Sequence, residues 1–167
     1  MKKHLFWIAL IPFLMTKPLQ ADMSFYLRVQ GIEGEATQAQ HINWIEAESA
    51  NYQLQGGGGG VSHSGLTVYK NLDKATPLLM MYACALMPIL EVKLHATREI
   101  NGLEKVVYEV ILDNAQVMAV SSSTQTNTAS SYEGITFNYQ QIEWTYYLYD
   151  AFGNVTGSTT GNAVVSP

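Results

Sequence analysis

Ile89-Leu90-Glu91-Val92-Lys93-Leu94-His95-Ala96, then Asn101-Gly102, then Val106-Val107-Tyr108-Glu109-Val110-Ile111-Leu112 stand in that order in the middle of the chain. The first run alternates in polarity, as a strand with one buried face requires, because successive side chains of a strand point to opposite faces. Asn-Gly is the pair that most readily adopts the positive φ angles of a two-residue hairpin, so the later run is read as returning beside the first. A third run, Ala115 to Val120, follows so closely that a bulge at Asp113-Asn114 joins it to Val106–Leu112 as one long bent strand. Antiparallel pairing between sequence neighbours is therefore the basis of the fold.

Working outward, Ile135 to Tyr149 alternates again, with Ile135, Phe137 and Tyr139 on one face and Ile142, Trp144, Tyr146 and Leu148 after a shift of register at Gln140-Gln141. On the other side, Phe25, Leu27 and Val29 alternate with Tyr26, Arg28 and Gln30 until Gly31 to Gly34 make a turn. Trp44 to Ser49 reads as a second short strand, and Leu66-Thr67-Val68-Tyr69 as part of a third. Ser121 to Ser131 reads as a polar loop, and Val155 to Pro167 is too polar and glycine-rich to assign.

One segment breaks the pattern. Thr76-Pro77 opens a helix: Thr76 is placed to cap the first turn, Pro77 has no amide hydrogen to lose there, and Pro88 ends the run. Between them Leu78, Leu79, Met80, Met81, Ala83, Cys84, Ala85 and Leu86 are apolar nearly all round, which predicts a helix buried on more than one side. Part of that surface, Thr76, Pro77, Leu78, Met80 and Met81, is a candidate contact with another subunit. The fold class is thus mainly β: a small antiparallel β barrel or sandwich with one flanking α-helix at about 76–87.

The chain has 167 residues, enough for one domain, with 47% apolar and only 14% charged residues against the roughly 25% usual for soluble domains. Its ten tyrosines suit a pleated sheet. Lys2, Lys3 and His4 precede an apolar run from Leu5 to Met15, which gives residues 1–22 the layout of a secretory leader. Met23 is the alternative start, since the strand-like Ser24-Phe25-Tyr26-Leu27 follows it at once. In either case the domain is 23–167. Without residues 1–22 the formal charge moves from −5 to −7, because Lys2, Lys3, Lys17 and Asp22 are lost. That balance argues against nucleic acid and against an anionic membrane as partners.

Five glycines, Gly56 to Gly60, make a loop that stays flexible until something orders it, since each loses more backbone entropy than any other residue. A phosphate-binding loop would need Lys-Ser/Thr and a helix next, whereas Val61-Ser62-His63-Ser64 leads into a β pattern. Cys84, the single cysteine, reads as a buried inert thiol. Met80, Met81 and Met87 read as core packing. His41, His63 and His95 show no metal-ligand spacing, and His63 beside the glycines reads as solvated. Glu33 with Glu35 and Glu46 with Glu48 share faces of extended backbone, as exposed or salt-bridged pairs do. With no nucleophile in a Gly-x-Ser-x-Gly setting either, no enzyme and no cofactor are expected.

Taken in order, Gly31-Ile32-Glu33-Gly34-Glu35, His41 with Trp44-Ile45-Glu46, the glycine run, Tyr69-Lys70-Asn71-Leu72-Asp73-Lys74-Ala75-Thr76-Pro77-Leu78-Leu79, Tyr108, Val120-Ser121-Ser122, and Phe137-Asn138-Tyr139 leading to Ile142-Glu143-Trp144-Thr145-Tyr146 resemble the haemolysin-coregulated protein family, Hcp, over residues 24 to 150. The chain departs from the family pattern at Ala36 and Gln38, where Ser and Asp are common.

The resemblance implies a type VI secretion tube subunit: a homohexameric ring, rings stacked into a hollow tube, propelled by a sheath, released with the spike and able to hold effector proteins in its lumen. It implies a ring-stacking role for the loop around Gln55, Gly56, Gly57, Gly58, Gly59, Gly60, Val61, Ser62 and His63, within Asn51 to Gly65. It implies assembly in the cytoplasm, no membrane insertion and a last strand after Asp150. The leader speaks for a different reading, a secreted or periplasmic β-rich binding module reached by Sec export.

Overall fold

The computed structural model describes residues 23–57, 60–123 and 131–165. The leader, residues 1–22, lies outside them, as do Gly58, Gly59 and residues 124–130 of the expected polar loop. The described chain is mainly β. Its strands are β1 (Ser24–Val29), β2 (Ile45–Ala47), β3 (Ser49–Gly57), β4 (Gly60–Asn71), β5 (Pro88–Ile100), β6 (Leu103–Ser123), β7 (Tyr132–Asn138), β8 (Gln141–Tyr149) and β9 (Val155–Val164), with α1 (Thr76–Ala85) between β4 and β5.

All pairings are antiparallel. The hydrogen-bonded path runs β2-β1-β5-β6-β7-β4-β3, with β8 on β6 and β9 on β8. Its two ends, β2 and β3, are separated in sequence only by Glu48. The sheet must therefore curl until its ends approach: β2 packs on β4, and the Glu48 amide donates to the Tyr69 carbonyl at 2.8 Å. No ladder joins β2 to β3 or β4, so the barrel is curled without being closed.

The hinge of this arrangement is β6. Asn114 takes a positive φ of 50°, which Asn tolerates better than most residues. Before that point β6 pairs with β8, Tyr108 opposite Tyr146 through Asp113 opposite Gln141; after it, β6 pairs with β7 from Gln116 onward. The bulge expected at Asp113-Asn114 is the place where one long strand changes partners. Asn101 and Gly102, at φ 53° and 73°, make the expected hairpin turn between Ile100 and Leu103.

The core lies inside the curl. Leu27 and Val29 of β1, Val92 and Leu94 of β5, Val110 and Leu112 of β6, Leu66 and Val68 of β4, Ile135 and Phe137 of β7 and Ile142 of β8 form one buried cluster. These are the inward positions of the alternating strands read above, and Ile142 confirms the register shift before β8.

Several expectations change. Ser121 to Ser123 belong to β6 and pair with Gly134 to Tyr132, so the polar loop is shorter than expected. The unassigned tail is β9, whose Gln141↔Val164 to Tyr149↔Val155 ladder with β8 overrides its poor local propensity. The residue capping α1 is Ala75, with Asp73 Oδ1 accepting the Ala75 amide at 2.9 Å. The Thr76 hydroxyl is used elsewhere: it donates to Glu133 Oε2 at 2.6 Å and accepts from Lys70 Nζ at 3.1 Å. The helix ends at Leu86, whose φ of 49° stops the spiral before Pro88 begins β5.

Lys70 is fully enclosed. Its ammonium donates to the Asn71 carbonyl at 2.8 Å, to Asp73 Oδ1 at 2.7 Å and to Glu133 Oε2 at 2.9 Å, and Glu133 is itself without exposure. Desolvating two charges is expensive, and the pair is tolerable only while both partners are present. Lys70→Met should therefore destabilise the fold by about 3–5 kcal/mol, because it strands Glu133 in the core. Adding Glu133→Leu should recover most of that loss in urea denaturation. Strictly additive costs for the two changes would disprove the coupling.

Candidate functional site

Beyond Gly65 the β3–β4 hairpin leaves the sheet. At its root, Leu66 to Asn71 pair with β7 on one side, and Leu66 to Tyr69 pair with β3 on the other. Nearer the tip, Leu54↔His63, Gln55↔Ser62, Gly56↔Val61 and Gly57↔Gly60 pair only with each other, as a two-stranded arm. A register shift between Tyr52 and Leu54, and Gly65 at φ 75°, mark where the arm departs.

This corrects the reading of Asn51 to Gly65 as a loop. Glycine entropy argues against starting a strand there, but the ladder starts at the anchored root, and each further pair only extends it. Backbone bonding carries the arm, helped by Ser64 Oγ, which accepts the Gln53 amide at 2.9 Å. Gln55, Gly56 and Gly57 end β3; Gly60, Val61, Ser62 and His63 begin β4; Gly58 and Gly59 lie outside the described residues.

His63 is not solvated as expected. Its ring lies 4.7 Å from that of Tyr139, and its Nδ1 accepts the Gly65 amide at 3.3 Å, so it braces the arm's root. The root also borders a cleft of about 610 Å³ between β5, the β6 bend and the end of β9. Its titratable lining groups are His63 and Tyr139, which supply no acid–base pair of the kind hydrolysis needs.

The second feature is the outward side of α1. Leu79 is buried and Tyr82 and Ala83 pack on the core, whereas Leu78, Met80 and Met81 are 40%, 38% and 48% exposed. The expectation of burial on more than one side fails within the single chain, because the helix packs mainly on β6 and leaves its other side open. Cys84 is exposed for the same reason, not buried. Leu86 and Leu90 continue the apolar surface past the helix end, where Gln116 Nε2 donates to the Leu86 carbonyl at 3.3 Å. Of the five candidate contact residues, Pro77, Leu78, Met80 and Met81 are exposed; Thr76 is turned into the Lys70–Glu133 group.

Sequence reasoning missed two polar clusters. Lys70 with Asp73, Thr76 and Glu133 fixes the junction of the end of β4, the helix and β7. The other joins His41 and His95, 54 residues apart, with Nε2 of His41 2.9 Å from Nδ1 of His95, and His95 Nε2 2.7 Å from Glu109 Oε2. Burial, then the neighbouring His95, lowers His41 to about 4. The hydrogen bond from His95 keeps Glu109 below the usual carboxylate range, against the opposing effect of burial. Inside the barrel, burial and a 2.7 Å hydroxyl pair with Tyr52 push Tyr108 well above the phenol range.

The acidic pairs are ordinary. Lys74 Nζ sits 3.3 Å from Glu33 Oε2, Glu35 Oε1 accepts the Lys74 amide at 3.1 Å, and Glu48 accepts from Asn71 at 3.0 Å. Among the described residues, no group of three or more His, Cys, Asp or Glu side chains converges as metal ligands would, and no helix is long and apolar enough to cross a membrane.

The chain matches, over residues 26–146, the family described as type VI secretion system effector, Hcp. Among solved structures, a type VI secretion system effector from Yersinia pestis aligns with a TM-score of 0.72 at 20% identity, covering 84% of this chain and 99% of its own. Hcp1 from Salmonella typhimurium aligns at 0.74 and 21% identity, covering 85% and 94%. Hcp3 from Pseudomonas aeruginosa, a secreted protein, aligns at 0.66 and 16%, covering 87% and 98%. At such identities these likenesses speak for the fold. No curated protein matches the chain. Since the family match spans most of the chain and solved Hcp structures share its fold, the chain belongs to the Hcp family of type VI secretion proteins.

Proposed function

We propose that this protein is the tube subunit of a type VI secretion system. Six copies close into a ring, rings stack into a hollow tube, and the tube is secreted with the spike, with room for small effectors in its lumen. Assembly takes place in the cytoplasm, with the sheath as a further partner. The observation that carries this reading is a pair of unfinished surfaces on one subunit: an apolar helix face open to water, and a paired arm projecting beyond the sheet.

The two surfaces suit two different contacts. Large apolar side chains gathered on one helix face mark an interaction surface, and a head-to-tail contact between unlike patches closes into a ring when the rotation allows. The arm, held by backbone bonds with glycine at its tip, makes a weak contact by itself. Repeated around a ring, such contacts act together, and a stack then forms and still comes apart.

Electron microscopy and mass measurement of the purified chain test this. Rings of six copies are expected, and a monomer at all micromolar concentrations would overturn the proposal. Met80→Glu with Met81→Glu should yield monomers whose stability lies within about 0.5 kcal/mol of the parent, since both side chains are exposed. Replacing residues 55–63 by a tight turn should leave rings intact and abolish stacking. The apolar leader of residues 1–22 favours the second reading, a secreted or periplasmic binding module. Cleavage after Ala21 in the exported chain, together with a monomeric mass, would establish it.

A further inference from the structure

The segment between β1 and β2 folds over the outside of the sheet as a strap. It is closed on itself by the Gly34 amide on the Asn43 carbonyl at 2.8 Å, the Ala36 amide on the Trp44 carbonyl at 2.9 Å and the Asn43 amide on the Ala36 carbonyl at 2.9 Å. Gly34 is needed there: a Cβ would stand 2.3 Å from the Trp44 carbonyl oxygen. The strap carries His41, which is 1% exposed and stacks flat on Tyr26, with ring centroids 4.2 Å apart and planes within 7°. Tyr26 lies on the face of β1 opposite the core residue Leu27.

We propose that residues 33–44 form a proton-gated strap, held shut by hydrogen bonds that diverge from His95, to Glu109 on one side and through His41 to Gln38 on the other, and released when His41 takes up a proton.

The direction of every bond follows from donor and acceptor chemistry. The Gln40 amide donates to Gln38 Oε1 at 2.7 Å, which fixes that atom as an oxygen and an acceptor. His41 Nδ1, 2.8 Å from the same oxygen, must donate. In a neutral ring Nε2 then offers a lone pair, so His95 Nδ1 donates to it at 2.9 Å. The other nitrogen of His95 faces Glu109 Oε2 at 2.7 Å, and a carboxylate only accepts. His95 therefore holds both of its ring protons, an imidazolium between a carboxylate and a neutral imidazole. Tyr147 completes the chain by donating to Glu109 Oε1 at 3.1 Å.

A second proton on His41 breaks this order. Nε2–H would face Nδ1–H of His95, donor against donor and cation against cation. The groups around the pair do not compensate: Tyr26 of β1 stacks on His41, Glu104 of β6 attracts it only from a distance, and Lys93 of β5 and Tyr147 of β8 act on Glu109. Glu46 of β2 acts on Tyr26. Burial first, then the charge of His95, brings His41 from 6.5 down to about 4.

The sign follows. A group whose value is lowered by closure binds fewer protons closed than open, so closure is at full strength above about 6.5 and is lost as pH falls towards about 4. Taking those two values, strap opening should be roughly thirty-fold more frequent near pH 5 than near pH 7.5. Opening uncovers the Tyr26 ring and His95 on the outer face and frees Trp44, which are then available only in acid.

Nitrogen-15 spectra of the histidine rings, with hydrogen exchange at the Gly34, Ala36, Asn43 and Trp44 amides corrected for intrinsic rates, test this on the full chain. In the closed strap, His95 should show two protonated nitrogens and His41 one, at Nδ1. On acidification the strap amides should open by roughly thirty-fold relative to the Leu94 and Val110 amides of the β5–β6 ladder. His41→Phe, which keeps a ring on Tyr26, should remove that pH dependence. Glu109→Gln, which removes the negative partner, should leave one His95 nitrogen bare in the closed strap and shrink the swing. A bare His95 nitrogen in the parent chain, or strap opening that changes less than about threefold while His41 titrates, would overturn the proposal.

Discussion

The buried ammonium of Lys70 is the point on which the rest of the structure depends. It sits near the end of β4 away from the arm's tip, and its partners belong to the turn before α1 (Asp73), the first turn of α1 (Thr76) and β7 (Glu133). A charge with no exposure must keep all its partners, so the relative placement of arm root, helix and β7 is specified by electrostatics as well as by packing. Apolar contacts alone allow helices and strands to slide. A buried ion group with several directional bonds does not.

That constraint bears on assembly because both unfinished surfaces belong to elements that the junction ties together, β4 and α1. The arm extends β3 and β4 past Gly65, and α1 turns Leu78, Met80 and Met81 outward five to eight positions after Asp73 closes on Lys70. In a ring-and-stack assembly, lateral and axial contacts must hold a fixed angle to each other. A rigid junction between them supplies that angle within the subunit. The His41 end of the strap lies elsewhere, on the outer face of β1 and β5, while its first residues, Glu33 and Glu35, reach Lys74 beside the junction.

The long β6 strand plays a complementary part. Its bend at Asn114 lets one strand serve β8 on one half and β7 on the other, and this curls a sheet whose ends, β2 and β3, are joined by one residue. Curling creates an inside for Leu27, Val110 and Phe137 and leaves edges uncapped by closure. The low charge content of the chain fits a subunit with surface still to be covered.

The sequence by itself determined what depends on near neighbours: the alternation that marks β1, β5, β6, β7 and β8, the Asn101-Gly102 turn, the Asp113-Asn114 bend and the Pro77-to-Pro88 limits of the helix. It misjudged elements whose stability comes from across the sheet. The glycine arm and β9 are poor strands locally, and they exist because an anchored neighbour offers a ladder to extend. The exposure of Cys84, the diversion of Thr76 from its cap, the enclosure of Lys70 and the meeting of His41 with His95 were decided by tertiary structure alone. Charge pairs and donor chains bring together residues tens of positions apart, and short-range periodicity carries no trace of them.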